Sequence, residues 1–584
     1  MKSKNYPYQR PDLDEIAARI SDALQEFNQS STAKAQGEAI KEINGIRNHV
    51  ETMMQICIIR HTGDTANEFY KKEQDYWDEA APLFAGMVTD YYKTLLASGF
   101  RSELEQLFGA HLFALAETKL KTFSADVIED LQQENKLVSE YTQLEASSNI
   151  FFDGKERTIS QIYPYTLSAD RNIRKEASEA RFSFYQEHKE QLDDIYDKLV
   201  KIRTVIARKL GFENFTELAY ARLGRTDYGA EMVASFRQQV KEHAVPLATR
   251  LKKRQQVRLG LDELKYFDDE IMFSSGNPVP KGSSEWIVEQ GKKMYQELSA
   301  ETGEFIQHML DRELMDLTAK AGKAGGGYCT YLPEFQSPFI FANFNGSADD
   351  IRVLTHEAGH AFQVYQSRNL GQPEYYWPTY EASEIHSMSM EYLTWPWMEN
   401  FFKEEADKYL FAHLNRSVFF LPYGCAVDEF QHAVYENPDW SPSERKTAWK
   451  DIEKAYLPYL DFDGNEYLES GGYWQRQIHI YTDPFYFIDY ALAQICAMQF
   501  WKRSREDQEN AWRDYMLLCK LGGSKSFTEL MKLVNLDSPF EEGSIASVLR
   551  EVDGWLEAVE DNKICTGGVV IWRSFLMLEA WIFM

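Results

Sequence analysis

Two histidines and a glutamate lie close together in the segment THEAGHAFQ, residues 355–363. His356 and His360 are four residues apart, so on a helix both imidazoles project from one face and can bind a single metal ion. Glu357, between them, offers a carboxylate that could take a proton from a water molecule. A chance match in a chain with 12 histidines is expected on the order of one or two times in a hundred. The pattern therefore predicts a metal centre with a base beside it, in preference to an ordinary helix with a polar face.

A catalytic zinc site usually has three protein ligands and one water, so a third ligand must come from another segment. The segment YEASEIHSMSMEYLTWP offers Glu381, Glu384, His386 and Glu391. Glu384 and Glu391 are seven residues apart and share one helix face, with Ser387 between them. His386 faces elsewhere. Spacing alone leaves the choice of the third ligand open.

The segment that carries the two histidines is predicted to be a helix. Ser347 with Asp350 resembles a capping box at its start. Gly371 and Pro373 are predicted to end it. Its apolar side is formed, at helical spacing, by Ile351, Leu354, Ala358, Ala361, Phe362 and Tyr365.

A strand is predicted just before this helix. Three glycines, residues 325–327, precede two aromatic runs with β character, and Pro338 begins the second. Proline lacks the N–H that a central strand needs, so residues 339–344 are predicted to form an edge strand to which a substrate could add.

The rest of the chain is predicted to be helical, apart from one hairpin. Residues 11–145 carry long amphipathic patterns, and Ser102 is predicted to cap one of the helices. Segments 150–152 and 158–162, separated by Asp153-Gly154, are predicted to pair as a hairpin. The predicted fold class is therefore mainly α, with a small β element before the histidines.

Composition limits the possible partners. The chain has 584 residues, with 63 basic against 91 acidic side chains and a formal net charge of −28. This charge repels phosphate backbones and anionic lipid, so neither nucleic acid nor a membrane surface is an expected partner. Six scattered cysteines and the absence of an apolar run in the first 16 residues predict a cytoplasmic protein. Segment 564–584 is apolar, but Arg573 and Glu579 within it argue against a membrane span. We expect either a docked tail or a sequence altered near its 3′ end, in both cases without a catalytic role.

With these motifs, the chain resembles the thimet oligopeptidase and oligoendopeptidase F family of zinc metallopeptidases over most of residues 150–560. The similarity depends on HEAGH, SEIHSMSMEYL, GGGYCTYLPEFQSPFIFANFNG and HIYTDPFYFIDYALAQ. The run EIHSMSMEYLTWP is similar to the Pz-peptidase branch in particular. The resemblance implies a two-lobed helical zincin-type fold, with a small β-sheet beside the HExxH helix and a deep substrate channel. We expect an N-terminal helical region (residues 1–165), a catalytic domain (166–563) and the tail (564–584).

The resemblance also implies the roles of the metal-site residues. It predicts one Zn²⁺ per chain, bound by His356, His360 and Glu384, and a base at Glu357. A metal held there would lower the pKa of a bound water and polarise a scissile carbonyl. Glu391 is predicted to support the metal ligands by hydrogen bonding.

Further residues are implied to contact the substrate or the transition state. Tyr486 and Tyr490, four apart, match the family's first two tyrosine positions and would stabilise an oxyanion together with His479. The sequence departs from the family pattern at Ala493, where a third tyrosine is expected, and His479 precedes Tyr486 by seven residues instead of five. The substrate-binding loop would comprise Gly325, Gly326, Gly327 and Tyr328.

The predicted function is endopeptidase cleavage of short peptides, with collagen-derived, proline-containing peptides implied by the Pz-peptidase likeness. One alternative is another gluzincin-type metallohydrolase, such as an aminopeptidase, but the sequence has no GxMEN motif for binding an N-terminal amine. The other is a helical peptide-binding scaffold with an inactive site, against which the intact HExxH motif, Glu384 and Tyr486 argue. The sequence does not indicate an oligomeric state.

Overall fold

Helices dominate the computed structural model of the protein, which describes residues 1–320 and 322–565. The first fourteen helices in chain order are α1 (Leu13–Gln29), α2 (Ala33–Gly63), α3 (Glu68–Leu96), α4 (Arg101–Phe108), α5 (Ala110–Leu120), α6 (Ile128–Ala146), α7 (Ile159–Thr166), α8 (Arg171–Glu187), α9 (Lys189–Lys209), α10 (Phe215–Arg222), α11 (Ala230–Gln239), α12 (Val245–Leu259), α13 (Ser284–Leu298) and α14 (Ala300–Asp311). They are followed by α15 (Ala348–Ser367), α16 (Pro373–Tyr376), α17 (Tyr380–Leu393), α18 (Met398–Phe402), α19 (Ala406–Glu436), α20 (Pro442–Tyr456), α21 (Glu466–Glu469), α22 (Ile478–Thr482), α23 (Phe487–Glu506), α24 (Gln508–Leu521), α25 (Phe527–Leu533), α26 (Ser544–Ala558) and α27 (Asp561–Cys565). Within the described residues, none of these helices is both long and apolar enough to cross a membrane. The predicted tail lies, from residue 566 onward, outside the described residues.

The strands form a two-stranded hairpin and one three-stranded sheet. They are β1 (Ile150–Phe152), β2 (Lys155–Arg157), β3 (Met315–Thr318), β4 (Tyr328–Leu332) and β5 (Ser337–Phe344). The three-stranded sheet has the order β3-β5-β4, with β5 parallel to β3 and antiparallel to β4. The prediction of a mainly α fold with a small β element before the histidines is confirmed.

The strand that begins near Pro338 is central, so its prediction as an edge strand is wrong. Pro338 is tolerated because β3 reaches only part of β5. The Ile340 N–H donates to the Leu314 carbonyl (2.9 Å) on the β3 side, and positions two apart along a strand face the same way. The Pro338 nitrogen therefore faces the β3 side where no residue of β3 is paired, since β3 begins opposite Ile340. The edge beside the cavity described below belongs to β4.

Two local predictions in the first third of the chain are also wrong. Asp153 and Gly154 both have positive φ (51° and 71°), and this two-residue turn places Lys155 directly opposite Phe152, so the second strand starts at once. Segment 158–162 instead enters α7, which begins with a capping box at Thr158. Helix α4 begins one residue before Ser102, so this serine does not cap it.

Helix α15 follows β5 through a tight connection. Ser347 is its N-cap residue but makes no side-chain cap hydrogen bond. The Asp350 carboxylate instead reaches back to the Asn345 and Gly346 backbone N–H groups, at 2.9 and 2.8 Å. The helix ends at Ser367, before the predicted stop at residues 371–373.

A glycine allows α15 and α17 to pack closely. A Cβ atom on Gly359, inside the HEAGH motif, would lie 2.6 Å from the His386 carbonyl oxygen and 2.7 Å from the Ser387 Cα. Both of these are backbone atoms of α17, so a larger residue would separate the two helices. The close contact brings the acids of α17 within reach of the α15 histidines.

Candidate active site

Three side chains from α15 and α17 form a compact group of possible metal ligands. The Nε2 atoms of His356 and His360 lie 3.2 and 3.6 Å from Oε2 of Glu384. One ligand atom from each residue falls within 4.8 Å of the other two. Two imidazoles and one carboxylate match the donor set of catalytic zinc sites, which leave a coordination position for water or substrate. These residues therefore fit a zinc ion chemically.

A hydrogen-bonded chain supports the first histidine from behind. Glu391 contacts His356 Nδ1 through Oε1 (2.7 Å) and His413 Nε2 through Oε2 (2.8 Å). The Trp395 indole N–H donates to His413 Nδ1 (2.9 Å), so the proton of His413 is on Nε2 and is donated to Glu391. Glu391 thereby holds the His356 ring with its Nε2 atom toward Glu384.

The ionisation of these groups follows from their contacts. Burial lowers the pKa of His356, but hydrogen bonds to Glu384 and Glu391 outweigh it and raise the pKa to about 10. Burial raises the pKa of Glu384, yet His360 and His356 outweigh it and hold the pKa well below its usual range. Glu391 behaves similarly, and its histidine partners lower its pKa to about 2. Both carboxylates are therefore ionised, and a cation that binds here competes with a proton for His356.

Glu357 lies beside the ligand group on the same helix and has a different environment. It is 8% exposed, and burial raises the pKa of its carboxyl. Gly327 brings the end of the glycine-rich loop close, since a Cβ there would lie 3.8 Å from Glu357 Oε1. A buried carboxylate with a raised pKa is suited to accept and return a proton.

His356, Glu357, His360 and Glu384 line a cavity of about 540 Å³. Residues of α15, α17 and the start of α23 contribute to its lining. Tyr92 of α3 and His111, Leu115 and Lys119 of α5 line the same cavity. A larger cavity of about 830 Å³, lined in part by α12 and α20, contains none of the predicted residues. The smaller cavity is therefore the candidate active site.

The predicted glycine-rich loop contributes only its final part. Gly327 and Tyr328 line the cavity, whereas Gly325 and Gly326 are exposed and lie outside the lining. Gly326 has φ +84°, and its carbonyl accepts a hydrogen bond from the Asn343 amide (2.9 Å).

The predicted tyrosines and histidine gather at one side of the ligand group. The Tyr486 hydroxyl donates to Glu384 Oε1 (2.7 Å), and its ring lies 4.9 Å from that of Tyr490. His479 lies 5.6 Å from Tyr486, ring to ring, and its Nδ1 contacts the Gln477 amide (2.8 Å). Tyr486 and Tyr490 line the cavity, whereas His479 does not.

The other candidates on α17 do not join the ligand group. Glu381 is buried (1% exposed) and interacts electrostatically with Arg225. His386 is fully buried, and its backbone carbonyl accepts from the Tyr515 hydroxyl (2.9 Å). Ser387 donates to Glu384 Oε2 (2.8 Å), as its position between the two acids suggests.

One residue that supports this site, His413, was not predicted from the sequence. His413 is on α19, 22 residues beyond its partner Glu391. A lone histidine on a long buried helix carries no local signal, because only the packing of α19 against α17 brings it to the site.

Helices that bring an HExxH pair, a third carboxylate and a cavity together define the metallopeptidase class, and comparisons with known proteins agree. Residues 3–123 match the peptidase M3 N-terminal domain, and residues 287–548 match peptidase family M3. The fold superposes on the structure of PZ peptidase A with an inhibitor, with a TM-score of 0.93, 61% identity, and coverage of 96% of this chain and 100% of that one. Oligopeptidase PepF of Bacillus subtilis is 24% identical over 82% of this chain and 74% of its own length. An oligoendopeptidase F homolog of Borreliella burgdorferi is 25% identical over 70% of this chain and 71% of its own length.

The chain belongs to peptidase family M3, in the oligoendopeptidase F group. It is a metalloendopeptidase with the mainly α, two-lobed fold of that group, and its substrates are oligopeptides.

Proposed function

We propose that the protein is a zinc-dependent endopeptidase of short peptides, with one zinc held by His356, His360 and Glu384. The observation that carries this proposal is the mutual approach of their ligand atoms within 4.8 Å, with the Glu357 carboxylate on the adjoining cavity wall. When bound, zinc supplies a Lewis acid that acidifies water and polarises a carbonyl.

The protein's own groups would move the protons. Glu357 accepts a proton from the attacking water and later delivers it to the leaving amine, a role that its burial and raised pKa support. Tyr486 donates its hydroxyl hydrogen bond to the oxyanion that develops on the scissile carbonyl. Tyr490 and His479, packed around Tyr486, assist in orienting it or the substrate. Glu391 keeps His356 oriented.

The substrate is proposed to bind as an added strand. Within the three-stranded sheet, β4 has one hydrogen-bonded neighbour, and its residues Tyr328 and Cys329 line the cavity. An extended peptide could pair with this edge by backbone hydrogen bonds. We propose short peptides as substrates, with proline-containing, collagen-like sequences among those accepted.

Replacing the proposed base tests this mechanism. Glu357→Gln should retain zinc and fold yet lose roughly 10²–10⁴-fold in kcat, because an amide cannot accept the proton. The measurement is peptide hydrolysis with zinc content determined on the same preparation. Glu156→Gln, in the exposed β1–β2 hairpin, is the control and should behave as wild type. Substantial turnover by zinc-loaded Glu357→Gln would remove this residue from the role of base.

A mixed peptide library distinguishes an endopeptidase from an aminopeptidase. Mass spectrometry of the products should show cleavage at internal bonds, and a chelator should suppress it. Products trimmed one residue at a time from the N-terminus would instead support the aminopeptidase alternative.

A further inference from the structure

The residue before Tyr486 has an unusual backbone conformation. Phe485 has φ +67° and is fully buried. Side chains with a Cβ rarely adopt this left-handed region, and such residues persist where surrounding structure enforces them, often at functional sites. Among the described residues, every other non-glycine residue with positive φ is polar and exposed: Asp153, Glu313, Gln336, Lys403, Asp463 and Asn535.

Side chains from two distant segments hold both backbone polar groups of Phe485. Its N–H donates to the Gln431 amide oxygen (3.0 Å), and its carbonyl accepts from the Arg225 guanidinium (2.7 Å). Gln431 is on α19 and Arg225 follows α10, and both side chains are buried. The same guanidinium nitrogen of Arg225 also contacts Asp489 (2.6 Å), on the first turn of α23.

The ring of Phe485 is fixed as well. Its centroid lies 4.9 Å from that of His432, 5.7 Å from Tyr435 and 5.8 Å from Tyr220. The backbone and the ring of Phe485 are therefore both held, and this fixes where the next residue, Tyr486, begins. From that position the Tyr486 hydroxyl reaches Glu384.

We propose that Gln431 and Arg225 are positioning residues for the proposed oxyanion donor, Tyr486. They hold the strained Phe485 backbone and thereby fix the approach of the Tyr486 hydroxyl to the ligand group. This inference depends on the proposed role of Tyr486, and the experiment separates the two.

A double-mutant cycle tests the proposal. Gln431→Met removes the acceptor of the Phe485 N–H at nearly constant side-chain length. We expect kcat to fall on the order of 10–10²-fold with KM little changed, the penalty typical of a misplaced catalytic group. In the Tyr486→Phe background the same substitution should cause no further loss, because the hydroxyl that it misplaces is already absent.

Gln499→Met is the matched control. Gln499 is buried on α23, and its amide oxygen also accepts a backbone N–H, from Asp537 (2.8 Å). It should destabilise the fold by a similar amount, measured by thermal unfolding, while leaving kcat close to wild type. If Gln431→Met does not fold, Arg225→Lys takes its place in the cycle, since lysine keeps the charge beside Asp489 but cannot reproduce the guanidinium geometry.

Four outcomes are decisive. A loss of kcat that disappears in the Tyr486→Phe background supports the proposal. Equal losses in both backgrounds, or wild-type kcat for the folded variants, would overturn it. A Tyr486→Phe enzyme with unchanged kcat would instead contradict the proposed oxyanion role itself.

Discussion

At the scale of single residues, the Tyr486 hydroxyl has two possible uses. In the structure it donates to Glu384, so it could orient a metal ligand. During turnover it could instead donate to the oxyanion, as we propose. Removing the hydroxyl has a different effect in each case. Loss of a ligand-orienting group weakens metal binding, whereas loss of an oxyanion donor lowers the rate.

Replacing this hydroxyl separates the two roles. Tyr486→Phe should lower kcat roughly 10²–10³-fold, with KM and zinc content nearly unchanged, because the interaction is made in the transition state. Tyr490→Phe, which keeps the ring packed against Tyr486, should have a smaller effect. Steady-state kinetics and zinc analysis of both variants provide the measurement. Loss of zinc from Tyr486→Phe would show that the hydroxyl serves the ligand instead.

The sequence indicates some of these residues and not others for a physical reason. The histidine pair and Glu357 are neighbours on one helix, so local spacing is enough to find them. Spacing left Glu384 and Glu391 equivalent, since both share one face of α17, and only family resemblance distinguished the proposed ligand from its support. From α19, His413 contacts Glu391 and Gln431 contacts the Phe485 backbone, and no local pattern encodes such packing.

At the scale of elements, the approach of α15 to α17 decides whether the ligands can meet. Gly359 faces the α17 backbone, and the space there is too small for a Cβ. The glycine within HEAGH therefore matters for packing, although the HExxH pattern itself leaves that position open. The edge-strand prediction from Pro338 failed for a reason at the same scale: β3 begins opposite Ile340, so a proline fits at the start of a central strand.

Gly359→Ala should push the two helices apart. We expect a loss of about 1–3 kcal/mol in the free energy of unfolding, as for other overpacked cores, and zinc affinity reduced about tenfold or more because the ligands move. Gly554→Ala is the matched control: this glycine lies within α26 with no atom within 4 Å of an added Cβ, and alanine there should stabilise by about 0.5–1 kcal/mol. Denaturant unfolding and zinc titration of both variants check this. Unchanged zinc affinity in Gly359→Ala would show that the helices can adjust.

At the scale of the whole molecule, the lining of the candidate site comes from two parts of the chain. Residues of α3 and α5 line the cavity together with residues of the catalytic helices. The parts are also joined directly: Arg47 of α2 pairs with Glu374 of α16 (2.7 Å), and the Tyr92 hydroxyl of α3 donates to the same carboxylate (2.7 Å). We propose residues 1–165 as an N-terminal helical region that closes over the catalytic region, residues 166–563.

This enclosure predicts selection by substrate size. Peptides of roughly 5–20 residues, extended at about 3.3 Å per residue, should be cleaved, including those with proline near the scissile bond. A folded globular protein should be spared, because its surface cannot enter between the two parts. The test compares intact globular proteins with their tryptic digests under the same conditions. Rapid degradation of the intact proteins would contradict the enclosed site while leaving the metal chemistry unaffected.

The proposed mechanism requires one zinc bound by His356, His360 and Glu384, without which peptides are not hydrolysed. The most direct measurement is elemental analysis of the purified full chain together with peptidase activity, for wild type and Glu384→Gln. We predict close to one zinc per wild-type chain, and in Glu384→Gln the loss of most zinc together with activity. Full zinc retention and activity in Glu384→Gln would contradict this ligand set, because the third ligand would then have to be another residue.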